Sequence, residues 1–304
     1  MKRVLVTGGT TFVSRYTARW FVEQGWEVYV LNRGSKAQED GVQLICADRH
    51  GNLDALRGLH FDAVLDICAY TAEDITCLLD ALHSYDDFIF ISSSAVYPET
   101  NPQPFCENQN VGPNSVWGTY GTNKIAAEQV LRKRCPNAYI LRPPYLYGPM
   151  QNVYREPFVF DCAQQDRPFY LPKDGAMQLQ FFHVADLCRV MQRVLEIHPN
   201  EHIINVGNPD TVSVREFVQL CYGMAGKPVQ LVEVHRNIPQ RAYFCFHDYD
   251  YKLDVTLQYS LLDQTVPLEV GLAESYAWYT AHPQDVLRKD YISFIDEHLT
   301  KTDR

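Results

Sequence analysis

The chain has 304 residues, 46% of them hydrophobic and 21% charged, with a formal net charge of −10. That length supports one large or two modest domains with a full apolar core, and the composition is ordinary for a globular protein. The acidic balance repels nucleic acid and anionic membrane surfaces, and no stretch reaches the roughly 20 apolar residues of a membrane-spanning helix, so neither kind of partner is expected.

Six short apolar runs mark the N-terminal half: RVLVT (3–7), EVYVL (27–31), VQLIC (42–46), DAVLDI (62–67), DFIFIS (87–92) and AYILR (138–142). Most are nearly continuous, the pattern of strands covered on both faces. Helical patterns lie between many of them. In 11–24, Phe12, Tyr16 and Trp20 share a face and Gly25 ends the helix. In 71–84, Ile75, Leu78, Leu79 and Leu82 form a stripe behind acidic residues in the first turn. This alternation predicts an α/β architecture, a Rossmann-type doubly wound parallel sheet.

After Gly148-Pro149 the texture changes. Residues 149–175 are rich in Pro, Tyr and Phe without a clean period. A helix over 184–197 and a strand at 202–206 return to the sheet; helices over 213–225 and 268–281, a polar aromatic segment (241–251) and a C-terminal helix complete the chain. The expected division is a dinucleotide-binding domain of 1–148, 176–207 and 242–262, with a smaller mixed substrate lobe of 149–175, 208–241 and 263–304. Nine cysteines are scattered without a C-x-x-C pair, which favours buried reduced thiols over disulfides or a zinc site. Met1 to Thr7 is too short for a signal peptide, so the expected location is the cytoplasm.

The loop TGGTTFVS (7–14) follows the first strand and opens a helix, the setting in which free backbone N–H groups attract a pyrophosphate. Gly8 can make the tight turn. Thr11 and Ser14 stand where further glycines usually allow close phosphate approach and helix packing. The loop alone therefore fits either a modified cofactor site or one that has lost the task. At the end of the second strand Asn32-Arg33 replaces the usual acid, a change that accommodates a 2′-phosphate and leans toward NADP over NAD; the competing reading of Asn32-Arg33-Gly34 is a plain turn. Asp48, followed by Arg49, can accept from an adenine amino group.

The strand DFIFIS runs into Ser92-Ser93-Ser94, and Tyr120 and Lys124 follow four residues apart on a helix. A phenol is a poor base near neutrality, an adjacent ammonium lowers its pKa, and a serine hydroxyl can hold the substrate oxygen. In these residues the chain resembles the extended short-chain dehydrogenase/reductase family, of the NAD(P)-dependent epimerase/dehydratase type. The resemblance rests on Thr7-Gly8-Gly9-Thr10, Asp48, Ser92-Ser93-Ser94 with Val96-Tyr97, and Tyr120/Lys124. It continues through Leu141-Arg142-Pro143, Tyr147-Gly148-Pro149, Phe182-His183-Val184 with Asp186, Asn205-Val206-Gly207, and Pro267-Leu268 with Gly271-Leu272.

The resemblance implies Ser93, Tyr120 and Lys124 as catalytic residues, with Ser94 a close competitor of Ser93. It implies cofactor contacts from Gly8, Thr10, Thr11, Phe12, Asn32, Arg33, Asp48, Arg49, Lys124 and Pro143. Ser94, Tyr145 and Arg241 are the expected substrate contacts, no metal is expected, and His183 with Asp186 is read as structural. The implied reaction is hydride transfer at a hydroxyl or carbonyl carbon of a nucleotide sugar or related small molecule, with NAD or NADP. A homodimer through 71–84 and 116–134 follows by analogy. Tyr145 stands where sugar-nucleotide members often have Asn, and Ser94-Ala95 replaces the Asp-Glu pair of the 4,6-dehydratases, which disfavours that elimination. The alternative is a non-catalytic member of the fold that associates with RNA or senses the cofactor.

Overall fold

The computed structural model describes residues 1–300; the last four residues of the expected 263–304 segment lie outside them. The chain divides into two compact units. The first comprises Met1–Leu146, Phe182–Pro209 and Leu253–Thr265, and the second the remaining segments from Tyr147, Asp210 and Val266. Residues 176–181 and 242–252, expected in the dinucleotide-binding domain, lie in the second unit. The reason is aromatic packing: Phe181 stacks on Phe217, and Phe246 meets both rings edge-on. The other boundaries move by three residues or fewer.

In the first unit, strands β1 (Arg3–Thr7), β2 (Glu27–Asn32), β3 (Val42–Cys46), β4 (His60–Asp66), β5 (Ser84–Ile91) and β6 (Tyr139–Arg142) alternate with helices α1 (Phe12–Glu23), α2 (Ala72–Ala81) and α3 (Thr119–Arg134). The sheet has seven strands in the order β3–β2–β1–β4–β5–β6 followed by Ile203–Asn205. Neighbours pair in parallel, as in Val6 against Val30 and Ile89 against Tyr139. Alternate side chains of each strand enter two different cores. Val4, Val6, Val28 and Val30 face one, with Phe21 and the helix Val184–Ile197; Leu5, Leu31, Val64, Phe88 and Phe90 face the other, with Ile75 and Leu131. Burial on both faces is why the strands read as unbroken apolar runs rather than alternating ones.

The strand order reverses between β1 and β4, the switch point where such sheets bind ligands at their carboxyl ends. Thr7, the last residue of β1, ties the two strands together there. Its hydroxyl donates to Asp66 Oδ1 (2.7 Å) and accepts from the amides of Ile67 and Cys68.

The second unit is built around aromatic contacts among Phe158, Phe169, Tyr222 and Phe244, with Phe169–Pro172 paired in parallel to Leu231–Val234. Its buried Asp161 accepts from the hydroxyls of Tyr154 and Tyr279 and from Arg288. Among the described residues no helix is long and apolar enough to cross a membrane. All nine cysteines are free; Cys162, Cys188, Cys221 and Cys245 are buried as expected, Cys68, Cys77, Cys106 and Cys135 are partly buried, and Cys46, expected buried, is exposed on the edge strand β3.

Candidate active site

Three residues on one face of α3 key it against the end of β5. A Cβ at Gly121 would lie 2.4 Å from the carbonyl oxygen of Ala95, so only glycine lets the helix reach the 3₁₀ turn Ser94–Val96. Lys124 Nζ donates to Ile91 O (2.8 Å) and Ala69 O (2.7 Å). Glu128 Oε1 accepts from Ser92 Oγ (2.5 Å). The spacing 121, 124, 128 is that of a single helical face. Tyr120 lies at the exposed N-terminal end of α3, and Gly121, the residue after it, packs on Ala95 in the turn that carries Ser94.

Ser93 is half-buried, and its hydroxyl accepts from Ala95 N (3.2 Å). Ser94 is buried and its amide donates to Pro143 O (2.9 Å), which joins the serine turn to the segment after β6. Tyr145 is buried edge-on to Trp117. Arg241 belongs to the second unit, where its Nη1 donates to Phe244 O and its guanidinium lies over Tyr291.

Lys124 is 2% exposed, and its ammonium lies 5.0 Å from the Tyr70 ring and 4.8 Å from that of Phe90. Burial pushes its pKa down to about 8, against the opposing pull of Asp66, Cys68 and Glu128. A lysine depressed in this way is charged in both states below about pH 8, where folding bears the full desolvation cost. Between that value and the ~10.4 of an unfolded chain, the unfolded state binds more protons, so stability rises with pH. Urea unfolding across this window is expected to show wild type gaining about 3 kcal/mol relative to Lys124→Met. Parallel pH profiles for the two proteins would refute the burial argument.

Beyond the end of β1, Gly8 and Gly9 adopt φ of +93° and +88°. A Cβ at Gly8 would sit 2.5 Å from Cys68 Sγ, and one at Gly9 2.6 Å from Val30 Cγ1. Both positions therefore require glycine, for backbone angle and for space. Thr10 and Thr11 are half-buried, and Phe12 is buried at the start of α1. Thr11 caps α1 in extended conformation without a side-chain cap bond, and the first turn holds no acidic residue. Ser14 Oγ turns back to Thr11 O (3.0 Å).

Asn32 Nδ2 donates to Gly8 O (2.6 Å) while its Oδ1 accepts from Gly34 N (2.8 Å), so this side chain braces the glycine loop. Arg33 and Lys36 are exposed beside it, and Lys36 Nζ reaches Thr11 Oγ1 at 3.4 Å. Asp48 is exposed and accepts from His50 N. Arg49 turns inward to a bidentate pair with the buried Asp66 (2.6 and 3.1 Å).

Residues 4–207 match the model of the NAD-dependent epimerase/dehydratase family. The chain belongs to that family. It is 27% identical over 255 residues to the chloroplast stem-loop binding protein of 41 kDa b from Arabidopsis thaliana, a match covering 78% of this chain and 66% of the plant protein. It is 24% identical to the UDP-glucose 4-epimerase of Streptomyces lividans, over 93% of this chain and 97% of that enzyme. Among solved structures, the UDP-glucuronic acid 4-epimerase of Bacillus cereus, in complex with UDP-glucuronic acid and NAD, superposes with a TM-score of 0.73 at 20% identity, covering 92% of this chain and 99% of the other.

The residues present fit the dinucleotide that defines the family. The loop offers two forced glycines, a hydroxyl at Thr11 and the N-terminal amides of α1 without a competing acid, all suited to a pyrophosphate. Three features of the site escape sequence reading. Gly121 is a lone glycine whose role shows only once Ala95 is seen against it. Tyr70 places its ring centroid 6.2 Å from that of Tyr120. The Arg49–Asp66 pair joins the turn after β3 to the end of β4, a strand that does not neighbour β3 in the sheet.

Proposed function

We propose that this protein catalyses reversible hydride transfer at a secondary hydroxyl carbon of a nucleotide sugar, with Tyr120 as the acid/base. The bound nicotinamide supplies the hydride acceptor and donor. Ser93 holds the substrate oxygen, and Tyr120 takes its proton as the carbonyl forms and gives it back on reduction. Lys124 lends positive charge to that end of the site and lowers the cost of the phenolate. An epimerase returns the hydride to the opposite face of the intermediate; a reductase releases the product. The observation that supports the proposal is the docking of α3 through Gly121, Lys124 and Glu128, with Gly121, the residue after Tyr120, packed on Ala95 of the serine turn.

Similarity to epimerases and reductases of nucleotide sugars supports the substrate class. The 4,6-elimination is disfavoured, because Ser94-Ala95 provides no carboxylate pair and Ala95 is packed at 1% exposure. We further assign a homodimer interface to α2 and α3, on the family analogy alone. The likeness to a stem-loop binding protein supports a second reading, RNA association, which the net charge of −10 opposes. Salt-dependent binding to a structured RNA with no dinucleotide affinity would favour that second reading.

Arg33 and Lys36 form an exposed cationic pair beside the loop, and no acid stands at Asn32 to bind a ribose diol. NADP is therefore expected to bind at least about tenfold more tightly than NAD, and an Arg33→Ala variant to lose most of that margin. Fluorescence titration with both dinucleotides, followed by incubation with UDP-, dTDP- and GDP-sugars and analysis of the products, tests the proposal. Dinucleotide binding without conversion of any sugar would overturn it.

A further inference from the structure

We infer that His50, Glu73 and Cys77 form a binding site for a divalent transition metal, of which zinc is the best match. The site is independent of the hydride chemistry. His50 lies on the turn after β3, and Glu73 and Cys77 are one helical turn apart on α2. The ligand atoms His50 Nδ1, Cys77 Sγ and one Glu73 carboxylate oxygen all lie within 4.8 Å of one another.

The geometry of the histidine decides the matter. Its Nε2 sits 2.9 Å from Asp74 Oδ1. Asp74 is 9% exposed, and its other oxygen accepts from Tyr70 N, Thr71 N and Thr71 Oγ1 at 2.8, 2.8 and 3.0 Å. Those three donors occupy Oδ2 and leave Oδ1 to face Nε2, so the ring is held with Nδ1 turned away from Asp74. That nitrogen points at Cys77 Sγ (3.7 Å) and Glu73 Oε1 (3.9 Å).

A tetrahedral zinc ion with its usual bond lengths separates sulfur and nitrogen ligands by about 3.5 Å and nitrogen and oxygen ligands by about 3.4 Å. The two spacings from His50 Nδ1 are within a few tenths of an ångström to half an ångström of these values, the sulfur and the carboxylate oxygen lie within 4.8 Å of each other, and all three ligands are partly solvent-accessible and can close the gap. A carboxylate behind the distal nitrogen of a histidine is the arrangement that orients metal-bound imidazoles. A nitrogen–sulfur–oxygen donor set selects zinc over calcium or magnesium, and three protein ligands leave a fourth position for water. Two features hold the ligands without metal: the capping box of Thr71 and Asp74 fixes the start of α2, and His50 N donates to Asp48 Oδ1. The cysteine spacing conceals the site, because the histidine comes from another element 27 residues away.

The test uses the full-length protein, reduced and freed of metal, titrated with cobalt(II) as a spectroscopic substitute and then with zinc. One equivalent of cobalt is expected to give thiolate-to-metal charge-transfer absorption in the near ultraviolet, and zinc to displace it. Cys77→Ser and His50→Ala should abolish the band, and Asp74→Asn should weaken affinity roughly 10–100-fold. Cys46→Ser, which removes an exposed thiol elsewhere, should leave the band intact. Circular dichroism of each variant separates a lost ligand from a lost fold. Absence of the band at one equivalent, its survival in folded Cys77→Ser or His50→Ala, or its loss in folded Cys46→Ser would each overturn the assignment.

Discussion

A Tyr120→Phe variant is expected to fold, to bind the dinucleotide as wild type does, and to lose turnover by about 10²–10⁴-fold. In barrier terms that loss is roughly 3–5 kcal/mol. The fold should be indifferent because the ring stays and the residue is 38% exposed at the first turn of α3, outside the face that docks on β5. What disappears is the only titratable atom that side chain presents. Lys124 would remain 5.0 Å from the Tyr70 ring, with its two carbonyl partners intact, so the positive charge survives without a phenol to act on. Tyr70→Phe supplies the contrast. Its ring is the aromatic neighbour of Tyr120, but its hydroxyl has no assigned role, so kcat should change little. Steady-state kinetics beside thermal melts and dinucleotide titrations separate these outcomes. Full turnover in Tyr120→Phe, or an equal loss in Tyr70→Phe, would remove Tyr120 from the chemistry.

The sheet was legible in the sequence because burial on both faces leaves each strand as a nearly unbroken apolar run, as in Val4, Leu5 and Val6. Helix α1 announced itself by Phe12, Tyr16 and Trp20 and by Gly25. Helix α3 carries a weaker signal, for its buried face contains Gly121, Lys124 and Glu128, and polar burial erases the apolar stripe. The Tyr120/Lys124 spacing was nonetheless visible, since it depends only on helical geometry. Arg49 and Asn32 show the limit of motif reading. Each stands where a cofactor contact is expected, yet Arg49 is engaged by Asp66 and Asn32 by the glycine loop. Asp66 and Gly8 are 17 and 24 residues away in the sequence, on other elements, and nothing in the motifs indicates them. The segment 241–251 read as polar and aromatic at once, and Tyr243, Phe244, Phe246 and Tyr251 are buried in the second unit. Tyrosine hydroxyls count as polar in a pattern, while the rings behind them supply core area.

Arg142→Met is expected to destabilise the protein by about 3–5 kcal/mol, a large part of the stability of an ordinary domain. Arg142, at the end of β6, is 2% exposed and Glu128 3%. The guanidinium grips the carboxylate through Nε (3.0 Å) and Nη2 (2.5 Å), and its Nη1 donates to the Tyr97 hydroxyl (2.9 Å). That hydroxyl in turn donates to Asn205 Oδ1 (2.8 Å), on the neighbouring strand. Removing only the arginine strands a buried carboxylate, and that uncompensated charge is the source of the cost. Replacing both members, Arg142→Met with Glu128→Leu, should recover much of the loss, because the charge is gone and the space is filled by apolar atoms. Recovery should be incomplete: Ser92 Oγ and the Tyr97 hydroxyl each lose a partner, worth about 1 kcal/mol apiece. A double-mutant cycle by urea unfolding measures the coupling directly, and additive losses would show that the pair is not the electrostatic unit its geometry implies. The doubly substituted protein also separates folding from function. Ser92 adjoins Ser93, and its bond to Glu128 is one of the three that dock α3. A chain restored in stability should still turn over more slowly, since the apolar pair fills the core without fixing the distance between the serine turn and Tyr120.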